Sequence, residues 1–337
     1  MAKKIWSLAI LLLVSLAIAI TWDKVSQTTS VDEAQATIVL GYSNWAGWWP
    51  WAIAESEGLF AKHGAKIELR WYDDYTESME DLAAGYIDGN CQTLNDTISF
   101  AADAVKGEVV VLVNDNSAGN DKIIARSSIQ DVKDLQNNKV AVEAGVVDDF
   151  LLTLALEREG LSRGDVEVID IETGAAVEIF AAGQVDAVGA FPPFWLTALK
   201  REGAKEIISS KAFPGAIPDL LVVTENLINE HPAQVQALVD TWFDILDFMS
   251  SNRERADQIM ARRAGVSDEE FQLFKAGTKI FTIEENLEAF SQGNSMKSLP
   301  YAAQRITAFM QNNLKFSDKK PDLNKMFNQK FIEAYAF

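Results

Sequence analysis

The chain has 337 residues, 30 Lys and Arg against 49 Asp and Glu, and a formal net charge of −19. A strongly acidic protein is repelled by nucleic acids and anionic membranes, so the charge argues against both classes of partner. Hydrophobic residues make up 48% of the chain, which is enough to bury two cores of modest size.

The N-terminus has the composition of an export signal. Lys3 and Lys4 precede an apolar run that ends in the small-residue cleavage motif Ala17-Ile18-Ala19. We therefore expect residues 1–19 to be a signal peptide, or an N-terminal anchor if the signal is not cleaved, and residues 20–36 to be a flexible leader. Either outcome exports the rest of the chain, so the predicted location is the periplasm, with a membrane tether in the uncleaved form.

The segment that follows contains the same pattern of elements twice. The first copy comprises Ile38–Ser43, Glu57–Leu59, Ile67–Trp71 and Ala83–Asp88, and the second comprises Val140–Gly145, Glu159–Leu161, Val166–Ile171 and Ala181–Asp186. Short β-branched runs alternate with segments of helical period that close on glycine, so each copy predicts strand, helix, strand, helix, strand. Two such units imply an α/β fold of two lobes, in which ligands bind beyond the carboxyl ends of the strands.

The rest of the chain predicts one more strand, Asp219–Thr224, and then helices that have no strand of their own to cover. Apolar side chains recur at helical spacing after Pro232, and we expect that stripe to be core. The economical place for these helices is the first lobe, so the chain should cross between the lobes near residues 123–126 and near 217–222, as a two-strand hinge. The predicted domains are residues 37–122 plus 222–337 for lobe 1 and residues 123–221 for lobe 2.

Four tryptophans fall within seven residues after the first predicted strand, in the segment Ser43–Trp51. The packing of one helix needs fewer, so at least one ring should present a face to the cleft between the lobes. We expect Trp45 and Trp49 to do so, because Trp48 and Trp51 could point back into the lobe.

Four of the five other loops at the predicted carboxyl ends of strands carry carboxylates, and none of the five contains Lys or Arg. These loops are Asp73–Tyr75, Gln92–Asp96, Asn114–Asp121, Glu143–Asp149 and Phe191–Trp195. A buried carboxylate without a partner costs on the order of several kcal/mol, and aromatic faces attract cations, so the pattern predicts a small cationic ligand. Helix capping alone would explain Asp96 and Asp148, whereas Asp121 and Glu143 each adjoin a predicted strand at the cleft.

These residues give the chain a resemblance to the nitrate/sulfonate/taurine-type periplasmic solute-binding proteins of ABC importers. The likeness covers about residues 37 to 315 and includes the Glu57–Phe60 motif, the paired Ala-Ala-Gly-x-x-Asp motifs and the return after Pro218. Trp45–Trp49, Asn114–Asp121 and Glu143–Asp148 resemble the branch found beside urea-carboxylase-type enzymes. The resemblance implies a type II periplasmic binding protein that closes on its ligand, a membrane permease as partner, and guanidine as the ligand.

Guanidinium is planar and stays protonated at physiological pH, so two carboxylates and a covering Trp would match it. The predicted ligand-binding residues are Trp45, Trp49, Asp73, Gln92, Asn95, Asp96, Asp121, Glu143, Asp148 and Trp195. Anion-binding members of the family place basic or His side chains at the cleft, and this chain departs from that pattern. No catalytic residue, metal or cofactor is predicted, and we expect the chain to act as a monomer.

Other functions stay open at the level of sequence. The same importer role could serve nitrate, bicarbonate, an aliphatic sulfonate or taurine, or an aminopyrimidine, and a periplasmic sensor would share these features. An enzyme is the least favoured alternative, because the two histidines, His63 and His231, are not placed as bases in the cleft. The lone Cys91 cannot form an internal disulfide and is predicted to be a buried apolar residue.

Overall fold

The computed structural model of the protein describes residues 37–313 and 321–337. The predicted signal peptide, residues 1–19, and the predicted leader, residues 20–36, lie outside the described residues. Within the described part of the chain, no helix is long and apolar enough to cross a membrane.

The described strands form two mixed sheets. They are β1 Ile38–Tyr42, β2 Ile67–Trp71, β3 Gly89–Thr93, β4 Glu108–Ser117, β5 Lys122–Ala125, β6 Lys139–Val142, β7 Glu167–Asp170, β8 Ala187–Ala190, β9 Lys205–Ser209, β10 Pro218–Thr224 and β11 Thr278–Ile280. The first sheet has the order β11-β4-β10-β3-β1-β2, and the second has the order β7-β6-β8-β5-β9. In the first sheet β10 runs antiparallel to β3 and β4, and the edge strand β11 pairs antiparallel with β4. In the second sheet β5 runs antiparallel to β8 and β9.

The described helices pack around these sheets. They are α1 Trp51–Glu57, α2 Leu59–Lys62, α3 Tyr75–Ala84, α4 Leu94–Ala101, α5 Val147–Arg158, α6 Thr173–Ala181, α7 Phe194–Ala198, α8 Glu225–Glu230, α9 Pro232–Ser251, α10 Arg253–Ala264, α11 Asp268–Ala276, α12 Ile283–Phe290, α13 Leu299–Asn313 and α14 Lys330–Ala336. Pro232 stands in the first turn of α9, where its missing N–H is not needed. The stripe on α9 is core, as predicted, and the ring of Trp242 lies 5.0 Å from that of Trp51.

Equivalent bonds in the two lobes confirm the predicted duplication. In the first sheet β1 pairs in parallel with β2 and β3, and in the second sheet β6 pairs in parallel with β7 and β8. Asp88 accepts the backbone N–H of Val39 at 3.0 Å, and Asp186 accepts that of Lys139 at 2.9 Å. Each carboxylate therefore fixes the start of the first strand of its own unit.

The chain passes between the two sheets twice, slightly earlier than the sequence predicts. The crossings lie at residues 118–121 and 213–217, instead of near 123–126 and 217–222. The reason is that β5 and β10 pair along their whole length, each with two neighbours, so neither strand is free to act as a link. The domain limits given above stay a prediction, with all of β10 belonging to the first sheet.

The C-terminal helices cover the first lobe, as predicted. α9 packs on α1, α2 and α14, α12 and α14 contact β4, and α13 packs on α4. Asn286 of α12 accepts the backbone N–H of Val113 at 2.8 Å and donates to its carbonyl at 3.1 Å, which fixes the helix on the sheet. Cys91 in β3 is fully buried, as predicted.

Candidate functional site

A cavity of about 730 Å³ lies between the two lobes, bounded by loops at the carboxyl ends of the parallel strands and by the start of β10. Its acidic residues are Asp73, Asp74, Asp96, Asp121, Glu143, Glu172 and Asp219, and its aromatic residues are Trp45, Trp48, Tyr75, Phe191 and Phe194. Ligands of open α/β sheets bind at this edge, so the cavity is the candidate site.

The described lining of this cavity carries acidic side chains and no basic side chain to balance their charge. It contains seven carboxylates and, among the residues that the structure describes, no Lys, Arg or His. Lys122 follows the lining residue Asp121, but its ammonium group pairs with Glu206 and lies 5.1 Å from the centre of the Trp195 ring. The negative charge in the cavity therefore meets no counter-ion on a described lining side chain.

The loop after β1 is held against Asp115 of β4. The indole Nε1 of Trp45 donates to Asp115 Oδ1 at 3.0 Å. A Cβ atom on Gly47 of the same loop would lie 1.7 Å from Asp115 Oδ2, so only glycine allows this close approach. The ring centre of Trp48 lies 6.3 Å from that of Trp45 and 5.3 Å from that of Tyr75. We call Trp45, Trp48 and Tyr75 the aromatic wall.

Trp48, and not Trp49, shares the cavity lining with Trp45. Successive side chains of the turn point to different sides, and Trp49 faces the interior of the lobe. Its ring stacks on Phe271 at 5.7 Å, and its Nε1 donates to Asn44 at 3.1 Å. With 2% of its surface exposed, Trp49 supports the wall from behind.

Four buried aspartates of the first lobe, Asp96, Asp115, Asp121 and Asp219, form what we call the acidic floor. Asp115 of β4 and Asp219 of β10 stand opposite each other in the antiparallel register. Burial raises the pKa of Asp115 to about 7 and that of Asp121 to about 6. Burial also raises the pKa of Asp219 well above its usual range, and the neighbouring aspartates raise it further.

Two oxygen atoms of the floor are buried, belong to residues that line the cavity, and have no N–H or hydroxyl donor among the described residues. They are Oδ2 of Asp121 and Oδ2 of Asp219. A buried acceptor without a donor costs about 1–3 kcal/mol. A ligand rich in N–H groups would recover that free energy at these two atoms.

Asp96 and Asp73 also line the cavity, but other side chains already donate to them. Asp96 Oδ2 accepts hydrogen bonds from the hydroxyl of Tyr75 at 2.9 Å and from that of Thr93 at 2.7 Å. The cap of α4 is Thr93, so capping does not use the Asp96 carboxylate. Asp73 accepts the indole N–H of Trp71 at 2.8 Å.

In the second lobe Glu143 faces the cavity and Asp148 lies behind it. Glu143 Oε2 accepts from the backbone N–H and the hydroxyl of Thr173, each at 3.0 Å. Asp148 is fully buried, accepts from the backbone N–H groups of Glu143 and Asp149, and is absent from the lining. In this structure Asp148 holds the Glu143 loop, and its part in ligand binding stays a prediction.

The remaining predicted residues, Gln92, Asn95 and Trp195, lie outside the cavity lining. Gln92 donates to Glu108 at 3.1 Å inside the first lobe. Asn95, three residues after Gln92 and on α4, is fully buried. The ring of Trp195 packs edge-on against Phe274 at 5.6 Å. The part that these three residues take in binding stays a prediction.

Sequence reasoning missed Trp48, Tyr75 and Asp219 as lining residues. A signal for Asp219 was present, because this carboxylate opens an otherwise apolar predicted strand. The start of an antiparallel strand lies at the same edge of the sheet as the carboxyl ends of its parallel neighbours. No comparable signal separates Trp48 from Trp49, since the choice depends on how the turn is wound.

Neither histidine of the chain belongs to the described cavity lining. Among residues 37–313 and 321–337, no group of three or more His, Cys, Asp or Glu side chains is arranged to hold a metal ion. His63 contacts Asp244 of α9 at 2.7 Å, and neither His63 nor His231 is part of the lining. The lining thus offers hydrogen-bond acceptors, negative charge and aromatic faces.

Comparison with known sequences places the chain among solute-binding proteins. The profile of the NMT1-like family matches residues 32–264. The chain is 27% identical over 247 residues to a binding protein of Brucella abortus (strain 2308), covering 72% of this chain and 76% of that protein. It is 25% identical over 289 residues to an aliphatic sulfonates-binding protein of Bacillus subtilis (strain 168), covering 84% of each. It is 24% identical over 199 residues to the taurine-binding periplasmic protein of Escherichia coli (strain K12), covering 58% of this chain and 61% of that protein.

Solved structures share the two-lobed fold. The periplasmic aliphatic sulphonate binding protein of Escherichia coli has a TM-score of 0.73 at 20% identity, covering 88% of this chain and 92% of that one. The periplasmic nitrate-binding protein of Synechocystis PCC 6803 has a TM-score of 0.67 at 14% identity, covering 89% and 88%. A desulfurization enzyme has a TM-score of 0.62 at 16% identity, covering 90% and 99%. The fold therefore occurs in binding proteins and in an enzyme.

Proposed function

The chain belongs to the NMT1-like family, and from this premise we propose that it is the extracytoplasmic solute-binding subunit of an ABC importer. It would act as a monomer in the periplasm, deliver its solute to a membrane permease, and capture a small cationic nitrogen compound, guanidinium, between its lobes. Relatives named as sulfonate-binding and taurine-binding proteins support the binding role.

The observation that carries the choice of ligand is the cavity lining, with seven carboxylates and no Lys, Arg or His among the described residues. A nitrate or sulfonate ion in this cavity would be repelled and would find no charged partner. Two unit charges at about 4 Å interact by roughly 1 kcal/mol in bulk water and about 4 kcal/mol near a protein surface. A cation gains this free energy where an anion loses it.

Carboxylates from both lobes support capture between them. Asp121 comes from the first lobe and Glu143 from the second, and both line the cavity. Burial raises the pKa of Asp96, and the negative charge of Glu143 raises it further, so the field of the second lobe reaches the acidic floor. A planar cation could pair its edges with these carboxylates and lay a face on Trp45.

A second candidate ligand is an aminopyrimidine, which the size of the site favours. Guanidinium is much smaller than a cavity of about 730 Å³, so it requires the lobes to close further, whereas a flat ring needs less closure. The aromatic wall would stack on such a ring. The Asp219 carboxyl, which lines the cavity and has a raised pKa, could both donate to and accept from its nitrogen atoms.

Calorimetric titration of the purified protein with a panel of solutes tests this proposal. The panel is guanidinium, 4-aminopyrimidine, nitrate, bicarbonate, taurine and an aliphatic sulfonate, each at the same ionic strength. We expect binding of guanidinium, or of the aminopyrimidine if the second candidate is right, and no saturable heat from the anions. Tight binding of nitrate or taurine with no binding of either nitrogen compound would contradict the proposal.

A further inference from the structure

Asp115 and Asp219 form a carboxyl pair within the acidic floor. They occupy paired positions of β4 and β10, they are 0% and 1% exposed, and Asp219 lines the cavity. No N–H or hydroxyl donor among the described residues reaches Asp219 Oδ2, which is an unpartnered acceptor at the cavity. We propose that the pair holds a proton in the ligand-free protein and releases it to solvent when the cationic ligand binds.

Among the described residues, no positive group acts directly on the pair to replace that proton. The titratable groups that interact by charge with Asp115, Asp219 or their neighbours are Asp96, Asp121, Tyr75, Cys91 and Lys122. Burial raises the pKa values of the Tyr75 hydroxyl and the Cys91 thiol well above their usual ranges, so both stay neutral. Lys122 acts on Asp121, and its own ammonium group pairs with Glu206 in the second lobe.

Two carboxylates that face each other in a poorly hydrated site cannot both ionise without a large repulsion, so the pair retains one proton. A bound cation supplies the positive charge that the proton supplied. On binding, the O–H bond of the pair breaks, its electron pair stays on the carboxylate, and the proton passes to the buffer. The exchange keeps the net charge of the floor nearly constant.

The exchange of a proton for the ligand should make ligand affinity depend on pH. This inference rests on the proposed cationic ligand. Burial raises the pKa of Asp115 to about 7 and that of Asp219 well above its usual range, so the pair holds a proton near pH 7. Below that pH the ligand competes with the proton. Its affinity should therefore increase as the pH is raised, by up to about tenfold for each pH unit. An ordinary ionised carboxylate site would give a flat profile over the same range.

The test is a titration of guanidinium chloride into the full protein at pH 7, in two buffers that differ in ionisation enthalpy. The difference in heat gives the number of protons released for each bound cation. Asp219→Asn keeps the shape of the side chain and leaves one carboxyl where the parent has two, so the release at pH 7 should fall and the pH profile should flatten. Glu108→Gln is the matched control, because Glu108 is a buried acid with a pKa raised to about 8 that is absent from the cavity lining. Its release should equal that of the parent.

Infrared spectroscopy of the parent provides a readout that needs no variant. Guanidinium should remove intensity from the carboxylic-acid C=O stretch, and the ligand-free Asp219→Asn variant should lack that component. Guanidinium binding without proton release, or release that is undiminished in Asp219→Asn, would overturn the exchange and leave the proposed function standing. Absence of guanidinium binding by the parent at every pH would overturn both the exchange and guanidinium as the ligand.

Discussion

The indole N–H of Trp45 donates to the carboxylate of Asp115 at 3.0 Å, and this bond joins the aromatic wall of the cavity to its acidic floor. Asp115 is fully buried, so the indole takes the place of water at that oxygen. If the Trp45 ring moves to cover a ligand, its hydrogen bond to Asp115 changes. The stability of the negative charge on Asp115 then changes as well. Contact with the face of the ligand and compensation of its charge are coupled through these two residues.

Replacing Trp45 by Phe should separate these two contributions. The Phe ring keeps an aromatic face, but Asp115 loses its N–H donor, which costs about 1–3 kcal/mol and favours the protonated carboxyl. Guanidinium affinity at pH 7 should fall by about tenfold. Trp45→Leu also removes a cation–π contribution of about 0.5–2 kcal/mol and should fall further. Calorimetric titration measures both variants, and a Phe variant that binds like the parent would show that the bond to Asp115 has no part in binding.

Removing either of two carboxylates on opposite lobes should weaken binding strongly. Asp121→Asn and Glu143→Gln keep the shapes of the side chains and delete the charges, and each should cost about 2–5 kcal/mol of guanidinium affinity. Asp88→Asn is the control, because its carboxylate fixes Val39 and is absent from the cavity lining. That variant should lose stability with little change in affinity. Parent-like binding in both cleft variants would refute the assignment of these residues.

Glu108 should make the protein less stable as the pH rises. Burial raises the pKa of this carboxyl from 4.5 to about 8, so the folded protein binds the proton more tightly than the unfolded chain does. The stabilisation is complete below about pH 4.5 and is lost as the pH rises to about 8. Each pKa unit corresponds to about 1.4 kcal/mol, so the total loss is on the order of a few kcal/mol.

Glu108→Gln should remove that part of the pH dependence. The amide keeps an acceptor for Gln92 and carries no charge at any pH. Unfolding in urea at pH 5 and pH 8 gives the two free energies, and their difference should be smaller in the variant than in the parent. Asp165→Asn is the control, because hydrogen bonds from Ser162 hold the pKa of this exposed carboxylate below its usual value. An equal fall in parent and Glu108→Gln would contradict the expected burial of a neutral Glu108.

The lobes should close when the ligand binds. The cavity of about 730 Å³ is larger than guanidinium, and two short crossings, at residues 118–121 and 213–217, link the sheets in the arrangement of a hinge. Small-angle scattering should therefore report a smaller radius of gyration at saturating ligand. An unchanged scattering profile under conditions of proven binding would show that the lobes are already closed.

The sequence predicts the fold well because the fold is repeated in it. Gly-terminated helices and short β-branched runs occur in the same order twice, and Asp88 and Asp186 occupy the same position in each lobe. The exact crossing points were harder to predict, because apolar strand residues at 123–125 look alike whether they link two sheets or pair within one.

The site is only partly predictable for a physical reason. Its charge follows from loop composition, since the strand-end loops contain acids and no bases. Which acid faces the ligand depends on tertiary packing, as Glu143 and Asp148 show, because one lines the cavity and the other lies behind it. The same limit applies to Trp48 and Trp49, which are adjacent in sequence and lie on different sides of the loop.

The measurement that tests the central claim most directly is a paired titration of the protein with guanidinium and with urea. The two solutes have nearly the same size and shape and differ in charge, so their difference isolates the electrostatic contribution of the acidic cavity. We predict micromolar or tighter binding of guanidinium, about −8 kcal/mol or better, and binding of urea that is weaker by about a hundredfold or more. Equal affinities for the two solutes, or tighter binding of urea, would contradict the account.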